Sequence, residues 1–205
     1  MIRAALNGFG RIGRTAFKIA LDKFADTLEI VTINDLGDPK TLAHLLKYDS
    51  NYGIWKHDVR SDEKGIIIDQ KAYEVLSEKE PQNLPWKNLN VDVVIECTGK
   101  FTDAEKAGLH LEAGAKRVVI SAPGTNIPTF ILGVNGTKYS GEEIISNASC
   151  TTNCIAPVAQ VMQIKFGIAK AMMTTIHSYT ADQNLQDGLH KDLRRARSAT
   201  ENIVP

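Results

Sequence analysis

The sequence has few of the features that would direct a protein to a membrane, to secretion or to nucleic acid. Its 24 Lys and Arg residues balance its 24 Asp and Glu residues, so no excess of positive charge attracts a polyanion. No apolar run approaches the length of a membrane-spanning helix, and the first residues show no secretory signal. We therefore expect a soluble, cytoplasmic protein with no nucleic-acid partner and no membrane partner.

Cysteine is also sparse, since the chain has only Cys97, Cys150 and Cys154. A small, odd number of cysteines is typical of reduced thiols and not of a disulfide framework. Cys150 and Cys154 are one helical turn apart, but no histidine spacing supplies the further ligands that a zinc site needs. We expect no metal site, no disulfide, and an inert Cys154 inside a packed helix.

The beginning of the chain shows the order of elements that a dinucleotide-binding fold requires. Residues 2–7 are mostly apolar and predict a buried strand, and the motif GFGRIG follows at 8–13. A segment with helical spacing of apolar residues comes next, and a second apolar run, 28–33, ends close to Asp35. Strand, glycine turn, helix, strand and acid in this order indicate a nucleotide site.

Each residue of this motif has a physical role in binding a dinucleotide. Gly8 permits a tight turn, Gly10 lets the backbone approach a pyrophosphate, and Gly13 lets helix and strand pack closely. Asp35 lies about twenty residues after the last glycine, where it can accept hydrogen bonds from a ribose diol and would repel a 2′-phosphate. This favours NAD over NADP. The alternative is a glycine-rich surface turn without a ligand, and the flanking strands and helix argue against it.

The alternating pattern continues further along the chain. A buried strand is predicted at residues 91–99, a helix at 103–113 and a second buried strand at 117–123. Small residues at the carboxyl ends of the two strands suit the lining of a cofactor crevice, namely Thr98, Gly99 and Ser121. Residues 55–76 predict a short antiparallel insertion with Gly65 near its turn.

A reactive cysteine is expected after a further predicted strand at 143–148. The segment behind it has helical periodicity, with Pro157 tolerated only in a first turn, so Cys150 is expected at the helix N-terminus. That position stabilises a thiolate through the helix dipole and the free N–H groups, and it makes the cysteine nucleophilic. The alternative is a capped, buried cysteine without a chemical role.

A candidate base follows in a β-rich segment, 171–179. Its alternation predicts a strand that can place His177 beside the thiolate, where a base takes up the proton. The alternative is a hydrogen-bonded core histidine. The basic run at 191–197 indicates a solvated face or an inter-subunit salt-bridge segment, and the functional alternative is one arginine that meets a phosphate-bearing substrate.

Six segments together resemble the phosphorylating glyceraldehyde-3-phosphate dehydrogenases. They are NGFGRIGR (7–14), IND (33–35), HLLKYDS (44–50), SNASCTTNC (146–154), HSYTADQ (177–183) and DLRRAR (192–197). They follow the family's order, and SNASCTTNC is the most specific of them. The resemblance implies an α/β chain with a Rossmann-like dinucleotide-binding domain at 1–148, followed by the first part of an α+β substrate domain at 149–205.

The resemblance also implies an activity, the NAD-dependent phosphorylating oxidation of glyceraldehyde 3-phosphate. Cys150 would attack the aldehyde with His177 as base, and inorganic phosphate would release 1,3-bisphosphoglycerate from the resulting thioester. The family's inorganic-phosphate and substrate-phosphate sites correspond to Ser149, Thr151, Thr180 and Arg197, with Arg195 as a less favoured alignment. The family's NAD contacts correspond to Gly8, Gly10, Arg11, Ile12, Gly13, Asp35, Lys79, Thr98, Gly99 and Ser121.

The chain also departs from the family pattern. Gly188-Leu189 stands where many NAD-using members have a Leu-Pro pair, which leaves the strict exclusion of NADP open. The family's substrate domain continues past Pro205, so we expect a fragment of a homotetrameric enzyme that binds NAD with little or no turnover. The alternatives are an erythrose-4-phosphate dehydrogenase, a non-catalytic NAD-binding module, and a structural interaction protein that uses the basic run.

Overall fold

The computed structural model describes residues 1–205, which divide into two compact units, Met1–Lys165 and Phe166–Pro205. The helices are α1 (Arg11–Lys23), α2 (Pro39–Lys47), α3 (Ala104–Glu112) and α4 (Cys150–Phe166). The strands are β1 (Ile2–Asn7), β2 (Leu28–Asn34), β3 (Tyr48–Asp49), β4 (Gly53–Ile54), β5 (Val59–Ser61), β6 (Gly65–Ile68), β7 (Lys71–Leu76), β8 (Val93–Glu96), β9 (Arg117–Ile120) and β10 (Ile144–Ser146). No helix is long and apolar enough to cross a bilayer.

The first unit is built on an eight-stranded sheet in the order β10-β9-β8-β1-β2-β7-β6-β5. The pairings from β10 to β7 are parallel, whereas β7, β6 and β5 pair antiparallel. After β1 and β2 the chain continues to the edge strand β5, comes back through β6 to β7 beside β2, and then crosses to β8 on the other side of β1. The strand order therefore reverses between β1 and β8, as in a doubly wound dinucleotide fold, which confirms the predicted α/β class.

The central strand is buried on both of its faces. Ala4 and Leu6 of β1 belong to one core cluster, which also holds Phe17 of α1 and Leu46 of α2. The intervening Ala5 belongs to a second cluster on the opposite face. Because successive side chains of a strand point to opposite faces, a strand covered on both sides is apolar at successive positions. This explains the uninterrupted apolar residues 4–6 in the middle of β1.

The antiparallel insertion predicted at 55–76 is present as β5, β6 and β7. Gly65 begins β6 directly after the turn that follows β5. A Cβ at Gly65 would lie 2.0 Å from the carbonyl oxygen of Tyr73. The turn between β6 and β7 contains Asp69 and Gln70, which have φ angles of 45° and 81°. Two left-handed residues match the twist of a tight hairpin.

Helix α4 begins at Cys150, as predicted, but two other expectations for it are wrong. Pro157 lies inside the helix and not in its first turn, because Ser149 caps the helix and the residues that follow it are already helical. Cys154 is exposed and not in the core, since α4 has no buried residue. Apolar side chains such as Val161 and Ile164 are exposed with it.

The second unit contains no strand, so the strand predicted at 171–179 is wrong. A strand needs a neighbour to pair its N–H and C=O groups, and no strand of the chain pairs with this segment. The regular structure of the unit is one short 3₁₀ helix, Leu193–Arg195, which Asp192 caps by accepting the N–H of Arg194 at 3.0 Å.

Candidate cofactor site and reactive cysteine

A cavity of about 740 Å³ opens where the strand order reverses. Its size is typical of a small-molecule site, and its position is where doubly wound sheets bind their ligands. Five of the predicted cofactor residues line it, namely Gly8, Gly10, Asp35, Lys79 and Thr98. The predicted residues Arg11, Ile12, Gly13, Gly99 and Ser121 do not line the cavity wall.

The three glycines of the first loop face different surroundings. Gly8 has a φ of +93°, and a Cβ there would lie 2.8 Å from the backbone of Cys97 and Thr98. A Cβ at Gly13 would lie 2.1 Å from the carbonyl oxygen of Gly8, so helix α1 packs directly against the loop. At Gly10, by contrast, no atom lies within 4 Å of the Cβ position. The loop is therefore closed toward the protein at Gly8 and Gly13 and open at Gly10.

Helix α1 differs from the other helices in how it begins. Asp38 caps α2 and Asp103 caps α3, each accepting a backbone N–H at 2.9 Å, and Ser149 caps α4. The N-cap of α1 is Gly10, which offers no side-chain hydrogen bond. The first N–H groups of α1 therefore have no side-chain cap at a cavity edge, and uncapped N–H groups with a helix dipole behind them favour an anion such as a pyrophosphate.

Asp35 is held at the cavity edge by two backbone groups. Its Oδ2 accepts the N–H of Phe9 at 2.7 Å, and its Oδ1 accepts the N–H of Gly37 at 2.8 Å. A carboxylate oxygen can accept more than one hydrogen bond, so both oxygens retain capacity for ribose hydroxyls. The sequence did not indicate that this acid also binds the glycine loop.

The remaining predicted cofactor residues adjoin the cavity in other ways. The Arg11 guanidinium forms an ion pair with Asp49 through one of its nitrogens, and the backbone of Arg11 stands at the start of α1. Ile12 is 52% exposed. Gly99 has a φ of +72° with open space at its Cβ position, and the backbone N–H of Ser121 donates to the carbonyl of Glu96 at 2.9 Å.

Cys150 is the first residue of α4 and is exposed, so the alternative of a buried, capped cysteine is wrong. The preceding Ala148 has a φ of 60°, which turns the chain sharply between β10 and α4. The Ser149 hydroxyl accepts the N–H of Thr152 at 3.0 Å and lies 2.7 Å from its hydroxyl. Thr151 is half-buried in the same first turn. The dipole of a helix favours a thiolate at this position.

The other predicted catalytic and phosphate-binding residues lie in the second unit. The Nδ1 atom of His177 lies 2.6 Å from the carbonyl oxygen of Ser178, and because a carbonyl only accepts, Nδ1 carries a proton in this contact. The Thr180 hydroxyl donates to Asp182. In the basic run, Arg194 pairs with Asp192 at 2.7 Å, Arg195 with Asp182 at 2.9 Å and Arg197 with Asp187 at 3.5 Å. The pairing of Cys150 with His177 stays a prediction.

Comparison with known proteins identifies the family to which this sequence belongs. Residues 2–104 match the family model described as glyceraldehyde 3-phosphate dehydrogenase, NAD binding domain, and residues 149–205 match the model of its C-terminal domain. The chain belongs to the glyceraldehyde 3-phosphate dehydrogenase family. The family's NAD-binding domain accounts for the cavity, because the open position at Gly10, the uncapped start of α1 and the carboxylate of Asp35 fit a pyrophosphate and a ribose.

Several curated members of the family are similar to the chain over its whole length. The chloroplastic glyceraldehyde-3-phosphate dehydrogenase GAPA1 of Arabidopsis thaliana is 55% identical over 207 residues, and glyceraldehyde-3-phosphate dehydrogenase 2 of Trichormus variabilis is 53% identical over 209 residues. The Streptomyces coelicolor enzyme is 53% identical over 207 residues. The alignments cover 100% of this chain but 52%, 62% and 61% of these relatives, respectively. The chain thus spans about half to three fifths of their length.

Two features next to the cavity could not be predicted from the sequence. Burial raises the pKa of the Cys97 thiol to about 11, although a hydrogen bond from Ser121 opposes the shift, so the cysteine at the cavity is a poor nucleophile. Below the cavity, Glu96 and His110 are fully buried and hydrogen-bonded to each other. The only sequence signal was a charged residue at the end of the apolar run VVIE.

Proposed function

We propose that the intact protein catalyses the NAD-dependent phosphorylating oxidation of glyceraldehyde 3-phosphate to 1,3-bisphosphoglycerate. The observation that carries the proposal is the exposed Cys150 at the first position of α4, in a chain that also contains the family's NAD-binding domain. A thiolate at a helix N-terminus is a nucleophile for an aldehyde. We also propose domains of residues 1–148 and 149–205.

The chemistry uses Cys150 and His177. His177 takes the proton of the Cys150 thiol, the thiolate adds to the aldehyde carbon, and His177 returns the proton to the carbonyl oxygen to give a thiohemiacetal. NAD, when bound, supplies the acceptor for the hydride that leaves this carbon. His177 accepts the hydroxyl proton in the same step, and a thioester remains. An oxygen of inorganic phosphate then attacks the thioester carbon, the C–S bond breaks, and the Cys150 thiolate is released.

The tautomer of His177 supports its role as a base. Its Nδ1 proton is directed at the Ser178 carbonyl oxygen, 2.6 Å away, so in the neutral ring Nε2 is the atom that accepts a proton. Asp35 and the start of α1 would bind the ribose and the pyrophosphate. Lys79, at the cavity edge, would meet the adenine end of the cofactor.

Two phosphate sites complete the proposal. Ser149 and Thr151, in the cap and first turn of α4, offer hydroxyl and N–H groups to inorganic phosphate. Thr180 and Arg197 would bind the phosphate of the substrate, because a guanidinium matches the geometry of a phosphate. The Arg197–Asp187 contact is long, at 3.5 Å, so the guanidinium can exchange this partner for a phosphate.

We further propose that the intact enzyme is a homotetramer of the cytoplasm, with the basic run 191–197 at an inter-subunit contact. Chloroplastic relatives make a plastid the alternative location. The relatives named above carry the name glyceraldehyde-3-phosphate dehydrogenase, which favours this substrate over erythrose 4-phosphate. Analytical ultracentrifugation of the intact enzyme tests the assembly.

The decisive experiment measures NADH formation from glyceraldehyde 3-phosphate and NAD, with and without phosphate, in three forms of the intact enzyme. The Cys150→Ser variant is expected to lose activity by about 10³-fold or more, because a hydroxyl is a much weaker nucleophile. Cys154→Ser is the matched control, since Cys154 is exposed on the same helix one turn later, and it should retain full activity. Activity that survives in Cys150→Ser, or that does not depend on phosphate, contradicts the proposal.

A further inference from the structure

A buried carboxylate lies directly beneath the candidate cofactor cavity. Glu96 is the last residue of β8, its side chain is 0% exposed, and it does not line the cavity itself. Its Oε2 accepts from the Asn7 amide at 2.5 Å and lies 3.1 Å from Nε2 of His110. Its Oε1 accepts the backbone N–H of Thr98 at 2.7 Å and also the Thr98 hydroxyl. The carboxylate thus collects four hydrogen bonds.

The direction of these hydrogen bonds is fixed by the further hydrogen bonds that His110 and Asn7 form with other residues. The indole N–H of Trp86 donates to Nδ1 of His110 at 2.9 Å, and because an indole only donates, the histidine proton is on Nε2. The Asn34 amide donates to Oδ1 of Asn7 at 2.7 Å, and its own Oδ1 accepts the backbone N–H of Glu78 at 2.9 Å. Each donor therefore points toward the carboxylate, which acts only as an acceptor.

This network joins the walls of the cavity where the strands diverge. Asn7, Asn34 and Glu96 are the last residues of the parallel strands β1, β2 and β8. Asn7, Asn34, Glu78 and Thr98 all line the cavity. Backbone hydrogen bonds join the first residues past the strand ends, from the Gly8 N–H to the Asn34 carbonyl at 2.8 Å and from the Cys97 N–H to the Asn7 carbonyl at 2.7 Å. The hydrogen bonds through Glu96 add a side-chain link between Asn7 and Thr98.

We propose that Glu96 is a positioning residue for the cofactor, one that holds Thr98 and Asn7 in the cavity wall at the end nearest the glycine loop. The inference rests on the proposed cofactor role of the cavity. A buried carboxylate is not needed for a stable core, since apolar replacements of buried charges are often neutral or stabilising. Four donors that converge on a single acceptor indicate instead that the geometry of the wall is being set.

The matched variants are Glu96→Gln and Glu112→Gln. Glutamine has nearly the shape of glutamate, but its NH₂ group would face groups that are themselves donors. Glu112 is exposed at the end of α3, so its variant removes one negative charge without touching the network. The dissociation constants of NAD and of AMP are measured by calorimetry on the 205-residue chain, with the unfolding midpoint recorded on the same samples.

AMP meets the same part of the wall as NAD, because Asn7 precedes Gly8 of the glycine loop and Asn34 precedes Asp35. Glu96→Gln should therefore weaken the binding of both ligands, NAD about tenfold, while the unfolding midpoint stays that of the parent. Glu112→Gln should match the parent for both ligands. NAD binding within about twofold of the parent, or a loss of affinity that accompanies a lowered unfolding midpoint, would overturn the positioning role, because a general loss of structure lowers both.

A second variant keeps the test decisive if Glu96→Gln does not fold. Glu96→Asp retains the acceptor but draws it back by one methylene, and it should weaken NAD about threefold with an unchanged unfolding midpoint. No loss of NAD affinity, or a loss that accompanies a lowered midpoint, would again overturn the inference. Failure of the parent chain to bind NAD is a different outcome, since it would refute the proposed cofactor site itself.

Discussion

The carboxylate of Asp35 accepts the backbone N–H of Phe9 at 2.7 Å, so the acid at the end of β2 is bound to the glycine loop that follows β1. The same carboxylate is the residue that would receive the adenosine ribose. The proposed ribose contact and the shape of the glycine loop therefore depend on one side chain. The glycine loop is thus preorganised by Asp35 before a ligand binds.

Replacement of Asp35 by Asn should weaken NAD binding about tenfold, which corresponds to about 1.4 kcal/mol. The amide keeps one acceptor oxygen, but its NH₂ group would face either the Phe9 or the Gly37 N–H, and the ribose loses a charged acceptor. The discrimination against NADP should fall as well, because the charge that repels a 2′-phosphate is gone.

Fluorescence titration with both cofactors measures these effects. Asp26→Asn, which removes a charge at an exposed position outside the cavity, is the control and should leave both affinities unchanged. An unaltered NAD affinity in Asp35→Asn would refute the assignment of the ribose site.

Gly13→Ala should destabilise the chain by about 1–3 kcal/mol. The new Cβ would lie 2.1 Å from the carbonyl oxygen of Gly8, and neither the loop nor α1 can move without disturbing the other. Gly108→Ala is the control, because that glycine is in α3 with no atom within 4 Å of its Cβ position. It should stabilise the chain by about 0.5–1 kcal/mol through helix propensity. Urea unfolding distinguishes the two, and similar midpoints would contradict the close packing at Gly13.

The three cysteines should differ in their rate of alkylation by iodoacetamide at pH 7.5. Cys97 should react last, since burial raises its pKa to about 11 and leaves very little thiolate. Cys150 and Cys154 are both exposed on α4, but only Cys150 lies at the N-terminal end of the dipole and should react first. Peptide mass spectrometry over a time course gives the order, and equal rates at Cys150 and Cys154 would argue against an activated nucleophile.

The contact of His57 with two carboxylates, called here the histidine clamp, should make the free energy of unfolding depend on pH near neutrality. Both ring nitrogens of His57 meet carboxylates, with Nε2 2.8 Å from Asp22 and Nδ1 against Asp69. Burial of the ring opposes its charge, but the hydrogen bonds to the two carboxylates outweigh this and raise the pKa of His57 above its ordinary value of 6.5. The folded state therefore binds the proton more tightly than the unfolded state.

It follows that the clamp contributes fully below about pH 6.5 and is lost as the pH rises through the raised pKa of His57. The pKa values of Asp22 and Asp69 are lowered, so at the acid end the contribution is lost as these carboxylates protonate. His57→Gln should destabilise the chain at pH 5.5 and have a smaller effect at pH 8.5.

Urea unfolding across this pH range measures the difference, and His44→Gln serves as the control because His44 is exposed and makes no ion pair. A His57→Gln penalty that does not change with pH would show that the clamp does not titrate in this range.

The local features of this protein could be predicted from its sequence because their causes are local. The apolar run at 2–7 becomes β1, the glycines allow a turn and a close helix, and the residues after Ser149 begin a helix because a serine cap acts on the N–H three residues later. The insertion at 55–76 is likewise set by alternation and turn residues. The segment at 171–179 failed as a predicted strand, since β-propensity forms no ladder without a neighbouring strand.

Only the tertiary structure decided which distant residues meet. Asn7 and Glu96 are 89 positions apart in the sequence and 2.5 Å apart in space, and the contact of Phe9 with Asp35 depends on how β1 and β2 pair. The exposure of Cys154 and the burial of Cys97 depend in the same way on what packs against them. Spacing along the chain determines helices, turns and strands, whereas hydrogen bonds and burial between elements depend on their arrangement in three dimensions.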